Sequence, residues 1–155
     1  MQPRLNYAKA APDAYQAVVA LNRYVVEESG LPPLLIDLIK LRASQINGCA
    51  YCVDMHSKEA RAHGASQQWL DLISVWRESP IFTDAERAVL GWTEALTLVS
   101  ESRAPDADYE ALGQFFSGED IAKISVAIGL INVWNRLAVG FRSQHPIDKP
   151  VQAAA

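Results

Sequence analysis

The chain is poor in sulfur and in imidazole: two cysteines, two methionines and three histidines among 155 residues. Two cysteines cannot build a disulfide framework. Both fall within Cys49-Ala50-Tyr51-Cys52, where a bridge would close too small a loop to constrain the unfolded chain much. A basic excess is also missing. Lys and Arg number 14 against 18 Asp and Glu, for a net charge of -4, which argues against nucleic acid or an anionic membrane surface as a primary partner. Long apolar runs are absent too; Val126–Ile131 is bracketed by Lys123 and Asn132, so no membrane partner is expected. Met1–Gln16 contains no apolar core of a signal peptide, and a cytoplasmic location is the expectation.

What remains is ordinary globular material, 50% hydrophobic and 21% charged. The length suits a single domain over 1–155, with 144–155 expected to be a flexible tail because Pro146, Pro150 and a run of alanine follow Gln144. No segment alternates with period two between hairpin turns, so an all-α fold of about six to seven helices is predicted. Pro12 opens the first, to about Glu28, and Gly30 stops it. Pro32-Pro33 starts the second, to about Ile46, ended by Asn47-Gly48. A third runs from about Cys49 to His63-Gly64, and Ser66 caps a fourth to about Arg77. Thr83 with Glu86 forms a capping-box pattern ahead of one clean apolar stripe over Ala85–Val99. A shorter helix over Asp106–Phe116 precedes a long last one to about Phe141. The second and last helices are apolar on all sides, which predicts burial and a helical interface between copies of the chain.

The chemistry concentrates in residues 37 to 56. Cys49, Cys52 and His56 share one face of a helix that begins near Cys49. A thiol with pKa near ~8.5 is mostly protonated at neutral pH, and a helix N-terminus with an imidazole one turn away favours the thiolate. A second cysteine can trap a sulfenic acid as a disulfide before further oxidation. Redox chemistry is one reading of this stripe and two packed, inert cysteines the other. Zinc would need more ligands than the stripe holds; Asp37, His63 and His145 are the remaining candidates, and no bound metal is expected. Asp37, in an otherwise apolar helix, needs a partner, either Lys40 or a proton relay with the Cys/His stripe. His63 reads as a cation at a helix end, His145 as a solvated tail residue, and the four tryptophans as core or interface. Tyr51 either hydrogen-bonds at the site or packs.

The stretch Leu35–His56, with its element Ser44-Gln45-Ile46-Asn47-Gly48-Cys49-Ala50-Tyr51-Cys52 and His56 beyond, closely resembles the AhpD-like branch of the carboxymuconolactone decarboxylase family. Trp76–Ser79, Phe82–Thr97 and Asn132–Leu137 look like the same family. The resemblance implies an AhpD-like helical fold assembled as a trimer or hexamer. It implies reduction of a hydroperoxide by the cysteine pair, no bound cofactor, and an external dithiol reductant, a lipoyl group or a thioredoxin-like protein. Carried onto this chain, Cys52 attacks, Cys49 resolves, and His56 handles protons. The family's glutamate, twelve residues before the first cysteine, is replaced by Asp37, one methylene shorter. The family's histidine just before the second cysteine is replaced by Tyr51, and a phenol does not titrate near neutrality as an imidazole does. Ser44, Tyr51 and Arg42 are the supporting candidates. The decarboxylase branch generally lacks this cysteine pair. Two other functions remain open, a thiol–disulfide oxidoreductase or redox sensor, and a non-catalytic helical oligomer.

Overall fold

The computed structural model describes residues 2–148; the part of the predicted tail from 149 to 155 lies outside the described residues. Among the described residues there are helices and no strands. In chain order they are α1 (Tyr7–Ala10), α2 (Pro12–Arg23, continued by a π-helical turn over Tyr24–Glu28), α3 (Pro33–Ile46) and α4 (Ala50–Ala62). Then come α5 (Gln67–Leu72, continued by a 3-10 turn over Ile73–Glu78), α6 (Asp84–Thr97), α7 (Val99–Ser102), α8 (Asp106–Gly113) and α9 (Gly118–Phe141). The all-α expectation holds. The helix count is higher because α1 and α7 are single turns of four residues each, too short to show a period in sequence.

Local rules set most of the ends. Gly30 and Gly48 take φ of 76° and 64°, the left-handed region that ends helices at low cost only for glycine. Thr83 and Glu86 form the reciprocal capping box at the start of α6. Ser66 and Ser117 cap α5 and α9 through their side chains. The predicted helix after Ser66 breaks instead into α5 and the 3-10 turn, with Val75 at φ -123°. A tertiary cluster explains the break. Trp76 Nε1 donates to Glu94 Oε1 at 2.8 Å, and Arg77 and Arg42 also bond Glu94, at 2.5 and 2.8 Å. Arg87 Nη1 donates to the carbonyls of Trp76 and Ser79 at 3.0 and 3.1 Å.

Helix α3 is the central rod, packed against α4, α6 and α9. One side, with Ile36, Ile39 and Ala43, joins a core with Val89, Ile124, Ile128 and Ile131. The other, with Leu38 and Leu41, joins a second core with Leu70, Ile73, Trp76 and Leu90. Each fully buried Leu or Ile contributes roughly 1.5–3 kcal/mol. The burial predicted for the second helix is therefore found. Helix α9 differs. Its inner face is buried, but Val126 and Val133, seven positions apart and on one stripe, are 40% and 39% exposed. Its 24 residues are also long and apolar enough to cross a membrane by length and composition. The sequence reading measured uninterrupted apolar runs, whereas the helix continues through Lys123 and Asn132.

The N-terminal segment straps the α2 and α9 ends together. Arg4 N donates to the Phe141 carbonyl and Arg4 Nη1 to that of Gly140, both at 3.0 Å. The Tyr7 ring packs 5.6 Å from Phe141 and 6.0 Å from Tyr15.

Candidate active site

The turn between α3 and α4 places the cysteines. Its left-handed Gly48 lets Cys49 N donate to the Ser44 carbonyl at 2.9 Å. Cys49 becomes the N-cap of α4, and Cys52 N donates to its Sγ at 3.4 Å. Both residues are free thiols, 1% and 2% exposed, with their Sγ atoms 2.6 Å apart.

The two thiols are electrostatically unequal. The Cys52 thiol holds Cys49 down to about 7, burial opposes this, and the backbone N–H groups of Cys52 and Tyr51 and the Asn135 amide add to the lowering. Cys52 is pushed up by donating to Cys49 and by burial. The direction follows from the cap: the helix N-terminus acts on Cys49, which accepts the backbone donors, so the shared proton stays on Cys52. The predicted helix-end effect on the cysteine pair is present, and its beneficiary is Cys49.

Beneath the pair lies a buried amide network. Asn135 Nδ2 donates to Ser44 Oγ at 2.9 Å, and Asn47 Nδ2 donates to the side-chain oxygens of Asn135 and Asn132 at 2.8 and 3.0 Å. Asn132 Nδ2 donates to Thr97 Oγ1 at 3.1 Å. Asn135 also bonds both sulfurs, and Ser44 bonds Cys52. Ser44 thus supports the site directly. The network fastens the cysteine turn to α9 and α6, and Asn135, 1% exposed, is a site residue that the sequence reading missed.

A cavity of about 560 Å³ opens beside the pair. Cys52, Tyr51, Met55, His56 and Glu59 line it from α4, Ile36, Asp37 and Lys40 from α3, Tyr15 and Val19 from α2, and Trp134 from α9. Cys49 is not on its wall. Tyr51 packs against the cysteine cluster and also faces the cavity. One side of the cavity is aromatic and aliphatic, with Tyr15 and Trp134 edge to face at 5.8 Å. The other side carries charge.

On that charged side His56 is 3% exposed, and its Nδ1 lies 2.8 Å from Glu59 Oε2. Its Nε2 is buried and has no partner among the described residues. Glu59 is lowered from the usual carboxylate value, because His56 bonds it and His56, Lys40 and His63 attract it, against burial. Lys40 Nζ is 3.8 Å from the same Oε2. Asp37, 2% exposed, is raised by burial, and His63 and Lys40 oppose that rise. Its hydrogen-bond partner is neither of the two weighed in sequence. His63 Nδ1 lies 2.6 Å from Asp37 Oδ2, so His63 reaches across to α3 instead of acting only as a helix-end charge. Asp37 and His56 line one cavity but bond different partners.

Arg42 stands apart. It is not on the cavity wall, and it bonds Glu94 and Gln45. His145 is exposed and bonds the Pro146 carbonyl. Among the described residues no group of three or more His, Cys, Asp or Glu is arranged to hold a metal ion.

The sequence profile of the carboxymuconolactone decarboxylase family matches residues 12–95. The chain belongs to that family. The uncharacterised protein YdfG of Bacillus subtilis is 32% identical over 139 residues, 90% of this chain and 94% of its own length. A crystal structure of a protein of unknown function from Agrobacterium tumefaciens, described as a candidate antioxidant defence protein AhpD, is 60% identical. It covers 95% of this chain and 100% of its own, with a TM-score of 0.92. This chain is accordingly an AhpD-like member of the family. The debrominase Bmp8 shares the fold at 22% identity and a TM-score of 0.79, over 89% of this chain and 74% of its own.

Proposed function

We propose that this AhpD-like protein is a thiol-dependent peroxidase that reduces a hydroperoxide with the Cys49–Cys52 pair. The observation that carries the reading is a free dithiol at a helix N-terminus, with one of its sulfurs on the wall of a cavity of about 560 Å³ and His56 one turn further along.

Cys52 is the attacking sulfur because it faces the cavity, although Cys49 is the more acidic. The Sγ–Sγ contact of 2.6 Å joins the two facts, since one proton moving from Cys52 to Cys49 leaves the thiolate where substrate reaches it. The Cys52 thiolate attacks the terminal peroxide oxygen. The O–O bond breaks, the alkoxide leaves as alcohol with a proton relayed from solvent through His56 Nε2, and Cys52 becomes a sulfenic acid. Cys49 sulfur attacks it, water leaves, and the disulfide holds the two electrons' worth of oxidation. An external dithiol, lipoyl or thioredoxin-like, returns both thiols and is itself oxidised to a disulfide. The Asp37–His63 pair occupies the same charged wall and supplies a second proton-handling site.

The exposed apolar stripe with Val126 and Val133 supports assembly as a homo-oligomer, for which the family resemblance suggests a trimer or hexamer. Sedimentation of the full chain at micromolar concentration is expected to show the assembly; a stable monomer contradicts it. For the activity, hydroperoxide-dependent oxidation of a dithiol is measured in wild type, Cys49→Ser and Cys52→Ser. Loss in both variants is expected. Wild-type rates in both refute the peroxidase.

A further inference from the structure

We infer that Glu59 is the positioning residue of this site, fixing His56 in the tautomer that leaves its Nε2 lone pair free for the reacting oxygen. The inference rests on the proposed role of His56 in proton transfer. A carboxylate 2.8 Å from Nδ1 accepts a hydrogen bond only if Nδ1 carries the proton. The neutral ring then has an acceptor at Nε2, and this is a buried atom without a partner among the described residues. Buried polar atoms are rarely left so in a folded protein, and a functional site is one place where they are. His56 lines the cavity on the same helical face as Cys52, so a polar atom of a bound substrate is the partner that the ring lacks.

The surroundings of His56 fit this role. Glu59 and Cys52 face the cavity from the same helix, Asp37 and Lys40 from α3, Tyr15 from α2, and His63 from just past the end of α4. Of these, Glu59 is the one hydrogen-bonded to His56. Lys40, 5% exposed and 3.8 Å from Glu59 Oε2, helps keep that carboxylate ionised, while the side chain of Glu59 itself is 41% exposed. That exposure makes Glu59 an unneeded choice for the core and a cheap position to vary. The i,i+3 spacing of His56 and Glu59 was visible in the sequence.

The test is the tautomer of His56 in the full-length reduced protein, read from the ¹⁵N shifts of its ring, in wild type, Glu59→Ala and Glu59→Gln. Wild type is expected to carry the proton on Nδ1, with Nε2 showing the shift of an unprotonated nitrogen. Glu59→Ala is expected to lose that preference, and Glu59→Gln, whose amide oxygen still accepts from Nδ1, to restore it. In parallel, kcat/KM for cumene hydroperoxide is expected to fall about tenfold in Glu59→Ala, mainly through kcat, and to recover most of the loss in Glu59→Gln. A His56 tautomer that is the same in wild type and Glu59→Ala overturns the assignment, as does Glu59→Gln behaving like Glu59→Ala. A wild-type protein inert to peroxide, with a tautomer that still follows residue 59, fails the peroxidase and supports the positioning role.

Discussion

His63 Nδ1 and Asp37 Oδ2 meet at 2.6 Å across 26 positions of chain, joining a half-exposed imidazole to a carboxyl that is 2% exposed. Burial raises Asp37 above the ordinary carboxylate value, and His63 only partly opposes it. The folded protein therefore holds this proton to higher pH than the unfolded chain does. Stability from Asp37 is complete below the unfolded value near ~3.9 and is lost as pH rises through the raised folded value. Melting temperatures of wild type and Asp37→Asn, compared across pH, test this. The wild type is expected to lose ground to the variant as pH rises. A difference that stays constant with pH contradicts the raised value.

The thiol pair should titrate as a unit. Thiolate absorbance near 240 nm is expected to rise first with a midpoint of about 7, from Cys49. Cys52→Ala removes the donor that holds Cys49 down, and the midpoint should move up toward ~8.5. Cys49→Ala leaves Cys52 without its acidic neighbour, and no step near neutrality should remain. A midpoint near neutrality that survives Cys49→Ala contradicts the assignment of the acidic thiol.

Asn135→Ala removes a donor to both sulfurs and takes one hydrogen bond each from Asn47, which keeps Asn132, and from Ser44, which keeps Cys52. Each hydrogen bond so lost costs about 0.5–1.5 kcal/mol. Denaturant unfolding should show a loss in that range, and the Cys49 midpoint should rise. A destabilised protein with an unchanged thiol midpoint would make Asn135 structural alone.

Glu94 collects Trp76, Arg77 and Arg42. Burial works to raise its pKa, and these three partners win, holding it below the usual range. Glu94→Ala strands buried donors and should cost about 2–4 kcal/mol in urea unfolding. The cluster lies away from the cavity wall, so the thiol midpoint should not move. Stability within 0.5 kcal/mol of wild type, on the order of an ordinary surface change, contradicts the account of the 3-10 turn.

Much of this could be read from the chain because it is local. The capping box at Thr83 and Glu86, the stop at Gly48 and the cap at Cys49 depend on neighbours within four residues, and each is where the sequence puts it. The cysteine stripe follows from helical period once Cys49 starts α4. The break at Val75 was hidden because its cause is the contact of Trp76 with Glu94, far along the chain. The same reason hid Asp37 with His63, and Asn135 with Ser44: no pattern of spacing pairs residues on separate helices. Hydrophobicity on all sides of α9 predicts burial together with an interface between copies, and the stripe with Val126 and Val133 is uncovered in the chain by itself. Glu59, three residues past His56, shares its helical face, but a carboxylate on a half-exposed helix position carries no signal of its own in the sequence.

The central claim is that Cys52 and Cys49 turn peroxide into a disulfide, and a single turnover tests it most directly. Fully reduced wild-type protein is mixed with a slight excess of cumene hydroperoxide and quenched with acid, and the cysteines are mapped by mass spectrometry. The account predicts one intramolecular Cys49–Cys52 disulfide formed per hydroperoxide consumed, and in Cys49→Ser a sulfenic acid held on Cys52. Peroxide left unconsumed, or a sulfenic acid found on Cys49 in Cys52→Ser but none on Cys52 in Cys49→Ser, would contradict it.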